Sequence, residues 1–323
     1  MTDDEDAGGG ENAGAGGAAL RRVLAEAGGP ELLEVLAERL SGADLTTLLL
    51  EVFRRRAERV APAEVLRRYA ADRFTAPAPT AFADLRRVED ALLAALPDGF
   101  RTVLPAPLVP LAAHTAVAPV DPRKVVATVR GTEVAADPTN ALALEAARLR
   151  AADPRAVEPV RLAASQRVVR AQRFADQGAL AHFQLFALVS AGRDTGARSF
   201  ERAELATHLR FAARALAAAG VERTEVRLTV LDPALAETAA HAARALADLP
   251  GVTVRDDPDR PTGRAYYTGL CFKVHGVLDG GPVELGDGGF TGWTRRLTGS
   301  RKERLLISGY GLDRLAGLSS RTG

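Results

Sequence analysis

The sequence predicts an α+β fold, a largely antiparallel β-sheet backed by helices and preceded by a small helical region. Three observations lead to it. Strand-like runs follow one another through short loops, with helical stretches between the groups, the pattern of an antiparallel sheet covered by helices. Hydrophobic residues make up 47% of the 323 positions, enough for a sizeable core. Neither a GxGxxG fingerprint nor a P-loop occurs, which disfavours the ordinary dinucleotide and P-loop nucleotide folds.

The elements follow in chain order. Residues 1–17 are acidic and Gly-rich without periodicity, and are expected to be a disordered tail. Residues 18–75 form the helical region. Leu45, Leu48, Leu49, Val52 and Phe53 share one helix face, and Arg54, Arg55 and Arg56 close that helix where cations complement its dipole. Pro62 opens a further helix at its first position, with Val65, Leu66 and Tyr69 expected inward. The Pro-rich run at 76–79 reads as a linker, and the main core is placed at 80–323.

In that core Leu85, Val88, Leu92 and Leu96 make a helix stripe, followed by a short strand at 100–104 that Pro105 ends. Residues 124–129 are β-branched and strand-like. Asp137-Pro138 is an N-cap with proline at the first helical position, and starts a helix through Arg150. Strands are expected at 160–170 and 182–190, a helix from Ser199 to Gly220, and a strand at 225–231. Asp232-Pro233 opens the next helix. Three strands, at 266–275, 282–285 and 304–308, precede a final helix from Gly311.

Charge and cysteine content narrow the function. Forty-two Lys and Arg nearly balance forty-one Asp and Glu, so no strong overall field attracts nucleic acid. The single cysteine, Cys271, excludes an internal disulfide and any Cys-rich metal site. The five histidines show no metal spacing, and no Ser/His/Asp or Cys/His arrangement emerges. No run of about 18 apolar residues exists, so no membrane span is expected. The amino terminus is acidic where a signal peptide would be basic, so a cytoplasmic location is expected.

Three further segments carry more specific information. Val168-Val169-Arg170-Ala171-Gln172 ends a strand, and the loop 173–181 leads into His182-Phe183-Gln184. Gly263-Arg264-Ala265-Tyr266-Tyr267-Thr268-Gly269 precedes Asp287-Gly288-Gly289-Phe290. Ser308-Gly309-Tyr310-Gly311-Leu312-Asp313-Arg314-Leu315 ends the last strand and opens the last helix. In this order they resemble the core of a class II aminoacyl-tRNA synthetase, the histidyl branch in particular. The helix–strand–proline stretch from Leu85 to Pro107 resembles that family's first motif, which lies at a dimer interface, so the resemblance implies a homodimer.

The resemblance implies further roles. Arg170 would be a catalytic phosphate ligand, and Arg314 would be catalytic by packing on the adenine. Gln172, Phe183, Gly309 and Gly311 would complete the nucleotide site. Val129-Arg130-Gly131-Thr132-Glu133 resembles the family's amino-acid-binding segment, so Thr132 and Glu133 would contact a substrate amine, with solvated loop residues as the alternative. Tyr266, Tyr267, Gly288 and Gly289 would line the substrate pocket. ATP and Mg²⁺ are the implied cofactors. Glu284 is the candidate magnesium ligand, since carboxylate oxygens suit that ion beside phosphates.

Departures from the pattern bear on the substrate. The family's acidic residue after the phosphate-binding Arg is Gln172 here. Its catalytic Arg aligns with Thr262 and its Asp before the tyrosines with Ala265, although Arg260 or Arg264 could supply a cation from nearby. The chain also ends without sequence for an anticodon-reading domain. Histidine and tRNA are therefore not the expected partners. Two readings stand: an adenylate-forming ligase acting on a small amino acid or carboxylate, and a non-catalytic regulatory or assembly paralogue resembling the regulatory subunit of ATP phosphoribosyltransferase.

Overall fold

The computed structural model describes residues 9–172, 180–278 and 281–319. They fall into two units, one comprising the chain up to Ala76 with Ala127–Thr132, the other Pro77–Val126, Glu133–Gln172 and the chain from Leu180.

The first unit is helical: α1 (Gly9–Glu26), α2 (Glu31–Glu34) running into a π-turn at Val35–Arg39, α3 (Gly42–Ala57) and α4 (Pro62–Ala71). Residues 9–17, expected in the tail, lie in α1, and residues 1–8 fall outside the described residues. Ser41 caps α3, its hydroxyl accepting from the Asp44 amide at 3.1 Å. Val65, Leu66 and Tyr69, expected inward, are exposed, as are Leu48, Val52 and Phe53 of α3. A stripe with helical period marks a face available for packing. It does not by itself supply the partner that would cover that face.

In the second unit α5 (Phe82–Ala94), β1 (Arg101–Thr102), β2 (Leu108–Pro110), β3 (Thr132–Val134) and α6 (Pro138–Ala152) come first. They are followed by β4 (Val160–Val169), β5 (His182–Arg193), α7 (Ser199–Ala218), β6 (Thr224–Val230), α8 (Ala236–Leu246) and β7 (Val252–Asp256). β8 (Leu270–Leu278), β9 (Gly281–Thr291), α9 (Trp293–Thr298), β10 (Glu303–Gly311) and α10 (Leu312–Ser319) complete it. The strand expected over 124–129 does not form. Asp121 caps a 3₁₀ turn at Pro122–Lys124, and Gly131, with φ of +64°, closes a tight turn in which the Thr128 amide donates to the Thr132 carbonyl.

Eight strands make one sheet in the order β1-β4-β5-β10-β9-β8-β6-β7. It is antiparallel except at its edges, where β1–β4 and β6–β7 are parallel. Helices cover both faces. On one, Leu205, Leu209 and Leu216 of α7, with residues of α5, α8 and α10, pack on Phe186, Leu188, Leu306 and Tyr310. On the other, Leu142, Ala143 and Ala146 of α6, with Trp293, pack on Leu162, Val189, Leu305 and Ile307.

β9 is longer than expected because its glycines are strand residues. A Cβ on Gly286 would strike the Tyr310 ring, one on Gly288 the Phe272 ring, and one on Gly289 the Tyr267 ring, at 2.4–2.6 Å. Glycine occurs where neighbouring aromatic rings lie directly against the backbone.

Candidate functional site

Where β4, β5 and β10 cross the middle of the α6 face, the side chains are short. Ala164, Ala187 and Gly309 lie side by side in register, and the row continues to Asp287 on β9 and Lys273 on β8. Residues paired across strands project to one face. A Cβ added to Gly309 would meet nothing within 4 Å, whereas Ala164 and Ala187 are buried against α6, so Gly309 is the open position of the row and floors a cleft beside that core.

One side of the cleft is built at the end of β4. The Arg170 guanidinium lies 5.1 Å over the Phe183 ring, which pairs through β5 with Val168. Its Nε donates to the Ala136 carbonyl at 3.1 Å, and Nη2 approaches Asp137 Oδ2 at 3.4 Å. Asp137 and Thr139 open α6, the Asp137 side chain accepting from the Thr139 amide (2.9 Å) and hydroxyl (2.7 Å). Tyr266 lies beside this group. Burial raises its hydroxyl pKa well above the ordinary value, and Asp137 adds to the effect.

The other side is formed by Arg260, Tyr267 and Asp287. Arg260 is fully buried, its Nε donating to the Thr262 carbonyl (2.7 Å), Nη1 to the Phe272 carbonyl (3.2 Å) and Nη2 to Asp287 Oδ2 (2.6 Å). The Tyr267 hydroxyl donates to Asp287 Oδ1 at 2.9 Å. Loss of hydration lifts the Asp287 carboxyl above its ordinary pKa, while Arg260 pulls it down. Edge-on contacts from Tyr266 to Tyr267 (5.1 Å) and to Trp293 (5.3 Å) join the two sides. Cys271 is buried beneath, which pushes its thiol up to about 11 and leaves it inert.

Arg170, Phe183, Gly309, Tyr266, Tyr267 and Gly289 therefore lie in this one region, with Gly311 two residues beyond Gly309 on the same strand. Others do not. Gly288 sits under the Phe272 ring and opposite Ser308 in register, one residue out of phase with Gly289, and so faces the α7 core. Glu133 is buried, its oxygens accepting from the Ala112 amide (2.7 Å) and bonded to His114 Nδ1 (2.6 Å), while His114 Nε2 accepts from the Ala136 amide. Its carboxylate thus ties down a loop. The Thr132 hydroxyl bonds to Thr128. Gln172 is half-buried at the margin of the described residues, and residues 173–179 of the loop after it lie outside them.

Glu284 Oε2 accepts from Lys273 Nζ at 2.8 Å. A magnesium ion there would meet an ammonium group, so the ligand role expected for Glu284 does not fit. Among the described residues no three His, Cys, Asp or Glu side chains converge on a metal position. Arg314 is exposed, with Nη1 donating to the Glu284 carbonyl at 2.5 Å.

Asp137, Thr139 and Asp287 carry no ligand role in the sequence reading, and Arg260 enters it only as a cation that could act from nearby. The Asp-Pro-Thr run was legible only as a helix cap, and capping and ligand contact use the same residue types. Asp287 stands in the sequence only as the residue before the Gly288-Gly289 pair.

No protein-family model matches the chain, and no curated protein matches it by sequence. Its structure, however, is similar to several that have been solved. Apo histidyl-tRNA synthetase of S. aureus matches with a TM-score of 0.56 at 14% identity, over 74% of this chain and 65% of that one. Histidyl-tRNA synthetase of a Nostoc species gives 0.57 at 12% identity, over 78% and 75%. An ATP phosphoribosyltransferase regulatory subunit/histidyl-tRNA synthetase of Bacillus halodurans gives 0.55 at 17% identity, over 73% and 79%. This chain thus spans just under two thirds of the S. aureus enzyme. The mostly antiparallel sheet flanked by helices is the class II aminoacyl-tRNA synthetase core fold, in the form seen in histidyl-tRNA synthetases.

Proposed function

We propose that the cleft binds a small α-amino acid, with a nucleotide subsite for ATP beside it. The observation that carries this is the convergence of Asp137, Thr139, Tyr266, Tyr267 and Asp287 around the open position at Gly309, with Arg170 and Phe183 adjoining. Asp137 and Thr139 supply acceptors for an ammonium group. Arg170, backed by an aromatic ring, offers the planar fork that suits a phosphate or carboxylate. Arg314 reaches an adenine by leaving the Glu284 carbonyl. If the site is catalytic, its work is positioning and charge stabilisation at the α-phosphate, which makes it an adenylate-forming ligase.

The test is ATP–pyrophosphate exchange with each amino acid in turn. The ligase reading expects exchange that falls about 100-fold or more on Arg170→Ala. Gly309→Ala is expected to fold within about 1 kcal/mol of the parent and to lose the thermal shift that ATP and amino acid produce. Absence of both exchange and any ATP-induced shift would sink the nucleotide subsite.

A second reading, a non-catalytic regulatory core, is favoured by the cations on the far side. Arg260 is bound on three sides and Lys273 is held by Glu284, so neither is poised to move with a reacting phosphate. Amino-acid binding without exchange is the result that selects it. Either reading includes the homodimer, in support of which Leu104, 95% exposed, and Leu108 stand out after α5. A dimer mass by light scattering is expected, and a monomer mass unchanged across concentrations would overturn it.

A further inference from the structure

The two ion pairs on the far side of the cleft are buried unevenly, in the same sense. Arg260 is 1% exposed and its partner Asp287 32%. Lys273 is 9% exposed and its partner Glu284 18%. In each pair the cation is the inner member and the carboxylate the outer one. Asp287 also neighbours Gly309 in register, where no side chain fills the space above the backbone. The surface shown to a ligand on this side is therefore made of carboxylate oxygens. The positive charges of Arg260 and Lys273 lie behind them.

Each Asp287 oxygen accepts one bond from the protein, Oδ1 from Tyr267 and Oδ2 from Arg260, and a carboxylate oxygen has room for a second donor. A ligand that covers Asp287 without donating strips water from it and returns nothing. A ligand carboxylate there meets like charge. Only a donor restores what water gave.

Resting on the amino-acid reading of the cleft, we infer that the wall of Asp287 and Glu284 selects a ligand whose side chain carries N–H donors and rejects one ending in a carboxylate. The α-ammonium goes to Asp137 and Thr139, and the side chain runs over Gly309 toward Asp287. Protonated amines and neutral amides share this donor chemistry.

The experiment is a calorimetric binding series on the full chain, with ATP present throughout. Ornithine and lysine form one arm and asparagine and glutamine a second, against apolar norvaline and norleucine and acidic aspartate and glutamate. At least one donor arm is expected to bind about tenfold or more tighter than the apolar compounds, and the acidic arm weakest of all. The tighter of the two donor arms tells an amine from an amide. Asp287→Asn should shrink the preference to about twofold or less. Arg260→Met with Asp287→Leu, which removes both charges together, serves if the single change does not fold. Equal or better binding of norvaline, norleucine or the acidic compounds would overturn the inference while leaving an amino-acid site in place. Binding of none would overturn the amino-acid reading itself, and the inference with it.

Discussion

Replacing Glu303 with alanine is expected to destabilise the sheet-bearing unit by about 3–5 kcal/mol. Glu303 begins β10 and receives a two-pronged contact from Arg150 in the last turn of α6, Nε to Oε2 and Nη2 to Oε1, both at 3.0 Å. The side chains are 0% and 4% exposed. After the change the guanidinium keeps the Ala156 carbonyl and little else, with no route to water. Glu303→Gln should cost less, because the amide oxygen still accepts one prong. Arg150→Met with Glu303→Leu should recover most of the loss, because the expense lies in stranding a charge. Urea unfolding of the four proteins decides it. A loss below about 1 kcal/mol for Glu303→Ala would mean the pair is solvated.

The second large effect is on acid stability. His208 of α7 sits wholly buried between two serines, Nε2 at 2.9 Å from Ser190 Oγ on β5 and Nδ1 at 2.9 Å from Ser308 Oγ on β10. Burial holds its pKa down at about 3, with the nearby charge of Arg161 adding to the effect. The folded ring is neutral, whereas the unfolded chain takes up a proton near pH 6.5. From about pH 6.5 down to about pH 3 the unfolded state therefore binds one more proton. Stability is lost across that window at up to about 1.4 kcal/mol per pH unit, and this contribution is flat above it. Burial depresses His275 as well, which acts in the same direction. His208→Gln can still bond both serines and carries no titrating ring, so its stability should fall less steeply over the same range. Identical slopes for the two proteins would exclude His208 as the source.

The sequence disclosed much of the fold through features that need no partner. Strand-like runs placed β4, β5, β6 and β10, and Asp137-Pro138 and Asp232-Pro233 placed helical starts within a residue or two. Features that depend on a neighbour were misread. The glycines of β9 look like a loop until Tyr310, Phe272 and Tyr267 are seen to occupy the space their side chains would need. By period Leu48, Val52 and Phe53 of α3 and Val65, Leu66 and Tyr69 of α4 look like a core, but among the described residues they are exposed.

The candidate site divided in the same way. Arg170, Tyr266, Tyr267 and Gly309 stood out by type and order. Glu133 looked like a substrate ligand because a carboxylate in a short polar run invites that reading, and only the three-dimensional structure shows it bonded to His114 and a loop amide. Asp287 and Arg260, 27 residues apart, have no common signal in the sequence. Register and burial alone bring them together.

The strand order has a consequence for biosynthesis. β10, the latest strand of the sheet in sequence, lies between β5 and β9. Until the ribosome has delivered residues 303–311, the nascent chain can assemble β4 with β5 and β8 with β9, but each hairpin keeps an open, hydrogen-bond-hungry edge. Such edges invite pairing with other chains. Closure thus waits for β10 and joins it to β5, more than a hundred residues earlier in the chain, which slows folding. A chaperone that shields strand edges should raise the yield of this protein more than one that only shields apolar surface.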